Sequence, residues 1–133
     1  MDYADLREGI FNHLCSNVPS VGNRVFWGWT APADTVKPFL EMSFIGELPQ
    51  VNNPCGLWMQ VEVLVVGEES DILSLDPIAD LVVTVMHNQQ VATPLLRIIK
   101  PRYIRDSRID FWDENLRANI IRLKFLIPTD FWT

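Results

Sequence analysis

Two histidines and two cysteines are the residues of this sequence best suited to bind a transition metal: His13, Cys15, Cys55 and His87. Structural zinc sites usually present their ligands in pairs two to four residues apart, and only His13 and Cys15 approach that spacing. On a helix these two side chains would lie about 200° apart, so they cannot easily share one ion. We therefore expect no metal and no other cofactor, and we interpret the cysteines as reduced thiols of a cytoplasmic protein.

Carboxylates occur in two groups that could bind a hard cation or act as an acid and a base. The first group, Glu68, Glu69 and Asp71, directly precedes a predicted helix, where the helix dipole favours negative charge without any ligand. The second group alternates with arginines, as in a solvated, ion-paired loop. Its members are Asp110, Asp113 and Glu114, with Arg102, Arg105 and Arg108. The sequence has no nucleophile-elbow serine and no glycine-rich phosphate loop, so we expect no enzymatic activity.

Aromatic residues are more suggestive than any of the ionisable groups. Trp27 and Trp29 would share one face of a short strand, and the triplet Asp-Phe-Trp occurs at residues 110–112 and again at 130–132. The second triplet either folds back onto the core or contacts a neighbouring subunit, and the sequence leaves both open. Tryptophan, phenylalanine and arginine are common interface anchors. Our candidate interface residues are Trp27, Trp29, Trp58, Arg105, Arg108, Phe111, Trp112, Phe131 and Trp132.

Composition limits the possible classes of protein. The chain has 133 residues, of which 48% are hydrophobic and 21% charged, and we expect residues 1–133 to form one globular domain. Its net charge of −6 argues against binding of nucleic-acid phosphates. No apolar run reaches the ~18 residues of a membrane span, and the acidic start does not resemble a signal peptide, so we expect no membrane partner.

The clearest structural signal is a change of hydrophobic period between residues 57 and 88. Met59, Val61, Val63 and Val65 alternate with more polar positions, which predicts a strand with one wettable side. Apolar residues then recur at spacings of three and four, which predicts a helix lying on a sheet. They are Ile72, Leu75, Ile78, Ala79, Val82, Val85 and Met86. The N-cap would be Asp76 or, one turn earlier, Ser70, Asp71 or Ser74.

The remaining elements follow from periodicity and from proline and glycine positions. We predict a first helix to residue 17, strands at 24–29, 39–45, 95–99 and 116–127, a long turn at 49–56 and a charged connection at 101–114. The fold class is then α/β (α+β), with a single mixed or antiparallel sheet of about five strands and two helices packed on one face. Trp58, Leu64 and Val66 would stay exposed on the other face, where we expect a partner to cover them.

In strand order and character the chain resembles the tail terminator (tail completion) proteins of long-tailed bacteriophages. The resemblance rests on Arg24-Val25-Phe26 before a proline-bearing loop, Pro38-Phe39-Leu40-Glu41-Met42-Ser43 as the second strand, and Gln60-Val61-Glu62-Val63-Leu64-Val65 before the second helix. A charged loop with Trp112 and a final apolar strand complete it. It spans residues 5–127, and the chain departs from the family in its aromatic C-terminus and indole-rich first strand.

This resemblance implies a homo-oligomeric ring, expected to be a hexamer, on the last ring of the tail tube protein. The ring would stop tube polymerisation and form the attachment surface for the head-side connector or stopper protein. The genome would pass through its lumen without specific binding. The protein would lie in the virion, in the tail or neck, after assembly in the host cytoplasm. No catalytic residues are implied.

Two other functions remain open. A head-closure or stopper protein would act at the same neck, also as a ring. A small ligand-binding or enzymatic α/β domain would instead be a monomer with a deep polar pocket.

The absence of a metal site predicts that folding needs no metal. Adding a chelator should leave the melting temperature unchanged, because a bound ion would stabilise the folded state by mass action. A fall of several degrees, measured by circular dichroism, would contradict this expectation.

Overall fold

The computed structural model describes residues 3–50, 53–68 and 72–129. Two helices and eight strands occur in that part of the chain. In order they are α1 (Tyr3–Asn17), β1 (Val25–Trp27), β2 (Phe39–Gln50), β3 (Asn53–Gly67), α2 (Leu75–Met86), β4 (Val91–Ala92), β5 (Ile98–Ile99), β6 (Arg102–Tyr103), β7 (Ile109–Asp113) and β8 (Ala118–Thr129).

Six of the strands form one mixed sheet. Its order is β1-β2-β3-β8, and both β6 and β7 then pair with β8, β6 near Leu126 and β7 near Ile120. Only β1 and β2 run parallel; the other neighbours are antiparallel. The predicted class is confirmed, but the predicted number of about five strands is too low, since β4 and β5 form a further two-stranded ribbon.

The main core lies between this sheet and both helices, which pack on one face as predicted. The apolar stripes of α1 and α2 are buried against alternate residues of β2, β3 and β8. In β8 the predicted alternation is confirmed, because Ile121, Leu123, Phe125 and Ile127 all point into this core. The hydrophobic period of the sequence identified these core residues, because each helix or strand turns one apolar face toward the core.

The opposite face of the sheet carries a second, smaller core. It consists of Phe39, Leu64, Val66, Ala118 and Ile120, with Phe26 and Ala31 packed against it. Leu64 is 4% exposed and Val66 is 0% exposed. The expectation that a partner covers these two residues is therefore wrong, because the segment between β1 and β2 covers this part of the sheet. Trp58 is half-buried, and the Arg102 guanidinium carbon lies 5.4 Å from its ring centroid.

The two central strands are longer than predicted. β2 and β3 continue as a hairpin through most of the residues expected to form a long turn, with Pro49 opposite Leu57. β8 likewise runs past Pro128, which pairs with Trp58, although that proline was expected to end the strand. Pro49 and Pro128 do not end their strands, because pairing with a neighbouring strand outweighs the local preference of proline against strand structure.

The short strands differ more from prediction. Of the strand expected at 95–99, only Ile98 and Ile99 form a strand, β5, which pairs with β4 across a turn in which Leu96 has a positive φ of 62°. The connection expected at 101–114 contains β6 and β7. Two- and five-residue strands carry too little periodicity to be recognised in a charged segment.

Helix α2 begins at Leu75, with Ser74 in the N-cap position. This corresponds to the earlier of the two predicted starts, and Asp76 lies inside the first turn rather than capping it. Neither described helix is both long and apolar enough to cross a membrane.

Helix α2 lies very close to the end of β3 at Gly67. A Cβ atom built on this glycine would lie 2.3 Å from Leu75 Cδ2. Gly67→Ala should therefore lower the free energy of unfolding by about 1–3 kcal/mol through overpacking. Urea denaturation measures this loss. In a double-mutant cycle with Leu75→Ala, the combined loss should be smaller than the sum of the single losses; strict additivity would show that the contact is not the cause.

Candidate functional site

One edge of the main sheet is open along half of β2. β1 ends at Trp27, because Gly28 and Trp29 both have positive φ, 65° and 62°. The last bond to β2 in this region is donated by the Gly28 N–H to the Met42 carbonyl, at 2.8 Å. From Ser43 onward β2 pairs with β3 on one side, and no described strand lies on its other side. Edge strands of this kind present unpaired peptide groups to other chains.

Helix α1 places a cation over aromatic rings beside this open edge. The Arg7 guanidinium carbon lies 5.3 Å from the Phe44 ring centroid and 5.8 Å from that of Trp27. The two rings are themselves 5.0 Å apart. Tyr3 stacks edge-on against Phe44, and its hydroxyl donates to Glu47 Oε1 at 2.6 Å. We call these five residues the β2-edge surface.

Charge on the β2-edge surface is only partly compensated. Glu47 accepts the bond from Tyr3, which raises the pKa of that phenol. Arg7 forms no ion pair with any described residue, and its guanidinium stacks on the Phe44 and Trp27 rings. The indole nitrogen of Trp27 is buried without an acceptor in the described part of the chain. The β2-edge surface therefore presents the guanidinium of Arg7 above Phe44 and, three residues after Phe44, a carboxylate oxygen of Glu47.

The opposite edge of the sheet is formed by β6 and β7, which pair with different parts of β8, and β7 carries its large exposed side chains. Phe111 and Trp112 are 39% and 40% exposed, on opposite faces of this strand. Ile109 is also exposed, on the same face as Phe111. β7 pairs with β8 on one side only, so both its peptide groups and these large side chains are accessible. Neither Phe111 nor Trp112 belongs to a core cluster.

Arg108 fixes β7 to helix α2. Its guanidinium donates to Asp76 and, at 3.0 Å, to Asp110, and it lies 4.0 Å from Asp80. The bonds to Asp110 and Asp76 raise the pKa of Arg108 further above its ordinary value. The predicted ion pairing of this segment is thus confirmed for Arg108 and Asp110, and Arg108 has further partners on α2 that the sequence did not indicate. We call Arg108, Ile109, Asp110, Phe111 and Trp112 the β7-edge surface.

The nine predicted interface residues do not form a single patch. Trp27 lies on the β2-edge surface, whereas Arg108, Phe111 and Trp112 lie on the β7-edge surface. Arg105 is exposed in the turn between β6 and β7, and Trp58 lies under Arg102 on the face away from the helices. Phe131 and Trp132 lie outside the described residues.

Trp29 does not share a strand face with Trp27, contrary to prediction. It follows the end of β1, and its backbone N–H donates to Glu41 Oε2 at 2.9 Å. The other oxygen of Glu41 accepts from the Ala31 N–H at 3.2 Å. Glu41 is only 1% exposed, so this buried carboxylate anchors the segment that covers the second core.

Three of the four residues considered and rejected as metal ligands have intramolecular surroundings, and the side chain of the fourth, Cys55, lies outside the described part of the chain. His13 Nε2 lies 2.6 Å from the Val85 carbonyl oxygen and so links α1 to α2. His87 Nδ1 accepts from the Tyr103 N–H at 3.0 Å and so links the end of α2 to β6. Burial raises the pKa of the Cys15 thiol. Among the described residues, no three histidine, cysteine or acidic side chains are grouped as a metal would require.

Sequence reasoning missed Arg7, Phe44 and Glu47. Tyr3 and Arg7 are four residues apart and therefore share one helix face, which was an available signal. The bulge between Phe44 and Gly46 was not visible in the sequence pattern. It places both Phe44 and Glu47 on the helix side of β2, although their spacing would put them on opposite faces of a regular strand.

Titration of Glu41 should change the stability of the protein. Burial raises the pKa of its carboxyl group above the ordinary value of 4.5, so the folded chain holds this proton to higher pH than the unfolded chain. The Glu41 contribution to the free energy of unfolding must then fall as pH rises from 4.5 through the folded pKa.

The test compares the wild type with Glu41→Gln, which cannot ionise, by urea unfolding at a series of pH values. The stability of the wild type relative to the variant should decrease as pH rises across this window. A difference that stays constant with pH would contradict the assignment.

Comparison with known proteins gives a fold and no family. No family model matches the chain, and no curated protein matches it in sequence. A solved structure described as the virion of a native gene transfer agent particle contains a chain of similar fold, with a TM-score of 0.67 and 14% sequence identity. The match covers 96% of this chain and 98% of the other. At this identity the likeness establishes a shared fold, over almost the full length of both chains.

Proposed function

We propose that this chain is a structural protein of a phage or phage-like particle. The observation that carries the proposal is the match, over nearly the whole of both chains, to a component of a gene transfer agent virion. The two open sheet edges support it, because a protein that acts by assembly needs surfaces left unpaired in the single chain.

More specifically, we propose a tail terminator that closes as a hexameric ring on the tail tube. The ring would stop tube polymerisation and offer its other side to the head-side connector or stopper protein, inside the virion. The resemblance of strand order and the sequence of α1, three strands and α2 support this role. The net charge of −6 suits a lumen through which nucleic acid passes without binding.

We propose a non-enzymatic role for the same chain. Two of the carboxylates considered as an acid or a base have structural partners: Asp110 is ion-paired with Arg108, and Asp113 accepts from the Leu116 N–H at 3.0 Å. The buried Glu41 anchors the segment after β1. Buried or ion-paired groups with intramolecular partners are common structural features and need no substrate to explain them.

Light scattering of the purified protein, alone and with tail tube protein, tests the ring. We expect a single species of six subunits, alone or on tube ends. A monomer under both conditions at tens of micromolar would contradict the proposal.

Electron microscopy of particles lacking the protein distinguishes the two neck functions. Tails of uncontrolled length indicate a terminator, whereas normal tails beside unclosed heads indicate a head-closure protein.

Trp112→Ala tests whether the β7-edge surface takes part. Because the indole is 40% exposed, its loss should change the free energy of unfolding by less than about 1 kcal/mol, yet weaken association roughly 30-fold or more. Leu96→Ala is the matched control, since Leu96 is an exposed apolar side chain on the β4–β5 turn. Equal association of both variants, or a monomer destabilised by 3–5 kcal/mol, would exclude Trp112 as an interface anchor.

A further inference from the structure

We propose that neighbouring copies join by pairing β7 of one copy antiparallel to residues 43–47 of β2 in the next, so that the sheet continues around the ring. This inference rests on the proposed ring and specifies its contact. The occupant of each open edge is the opposite edge of a second copy, which makes the interface heterologous, as a closed ring requires.

Strand direction within one copy already favours this contact. β2 is antiparallel to β3, β3 to β8, and β8 to β7. β7 therefore runs opposite to β2 on the far side of the same sheet. Copies related by rotation keep their orientation, so the β7 edge of one copy meets the β2 edge of the next as an antiparallel pair.

Charge selects the register of the pair. With Arg108 opposite Glu47 and Asp110 opposite Phe44, the carboxylate of Asp110 comes beneath Arg7, which stacks on the Phe44 ring. Arg108 and Glu47 then form a second pair of opposite sign. All four charged groups lie on the helix side of the sheet, since Glu47 pairs with the core residue Met59, Asp110 with the core residue Ile121, and Arg108 contacts α2. No parallel arrangement in the same place matches both pairs.

The same register brings Trp112 to the end of β1, next to Trp27, which already occupies the position opposite Met42. Its exposed indole would then pack beside Trp27, whose buried indole nitrogen has no acceptor among the described residues. On the other face of the sheet, Phe111 comes opposite Ser43. Two predicted interface aromatics, on opposite edges of one copy, are thereby brought together between copies.

The geometry is compatible with a closed ring. In one copy Phe111 lies level with Ile120, Val66 and Phe39, whereas the proposed register places it against Ser43 of the next copy. Four residues of stagger correspond to about 13 Å along the strands, and four inter-strand steps to about 19 Å across them. The strands would then tilt by roughly 35° from the ring axis, within the range of closed sheets.

Disulfide trapping tests the register. In a Cys15→Ser, Cys55→Ser background, Ser43→Cys and Phe111→Cys should form a disulfide between copies on mild oxidation, because directly opposed strand residues have Cα atoms about 4.5–5.5 Å apart. Denaturing gels should show a ladder of covalent multimers ending at the ring size. Mixing two proteins that carry one cysteine each should give covalent dimers only.

Two control pairs make the test specific. Ser43→Cys with Ile109→Cys is two residues out of register on the same face, and Ser43→Cys with Ile98→Cys uses an exposed residue of β5 outside both edges. Neither should give a ladder. Rings that form without any Ser43–Phe111 cross-link, or that cross-link equally through a control pair, would overturn this inference and leave the ring intact. A wild-type chain that forms no ring would overturn the proposed function as well.

Discussion

The whole structure depends on the pairing of β3 on both of its sides. From Leu57 to Val66 this strand is paired with β2 on one side and β8 on the other, and residues 63–66 are buried whichever face they occupy. A strand whose side chains are buried on both faces needs other residues packed against each face. The two helices bury only one face of β3, so a second element must pack on the other. The segment after β1, anchored by Glu41, supplies the second cover. It also ends β1 early, and that early end is what leaves half of β2 open.

The sequence predicted the fold where one pattern repeats over many residues. The stripes of α1 and α2, the core-facing residues of β3 and the end of β8 were all visible, because each element there spans several turns or alternations. The helical layer on one face and the mixed sheet followed from their order. Predictions failed for β6 and β7, whose two and five residues carry no readable period, and for the β2–β3 hairpin, whose length is set by pairing across strands rather than by Pro49 or Pro54.

Four of the candidate interface residues lie on the two edge surfaces, although the sequence did not indicate where in the fold they would lie. Trp27, Arg108, Phe111 and Trp112 were selected because aromatic rings and arginines often anchor interfaces, and all four lie at a sheet edge. Leu64 and Val66 were wrongly expected to need a partner, since a connection without periodicity cannot be seen to fold over them. Arg7 and Glu47 were missed because their juxtaposition depends on a bulge and on the docking of α1, neither of which has a local sequence signal.

The late position of β8 in the chain has a consequence for how the sheet forms during synthesis. Val63 pairs with Leu123, so β3 emerges from the ribosome long before its second partner strand exists. Until then β3 is unpaired on its β8 side and the core is incomplete, and contacts so distant in sequence form slowly. β7 also has no strand to pair with before β8 is made. A chain that ends before β8 therefore lacks the β7 edge of the finished sheet and leaves one side of β3 unpaired.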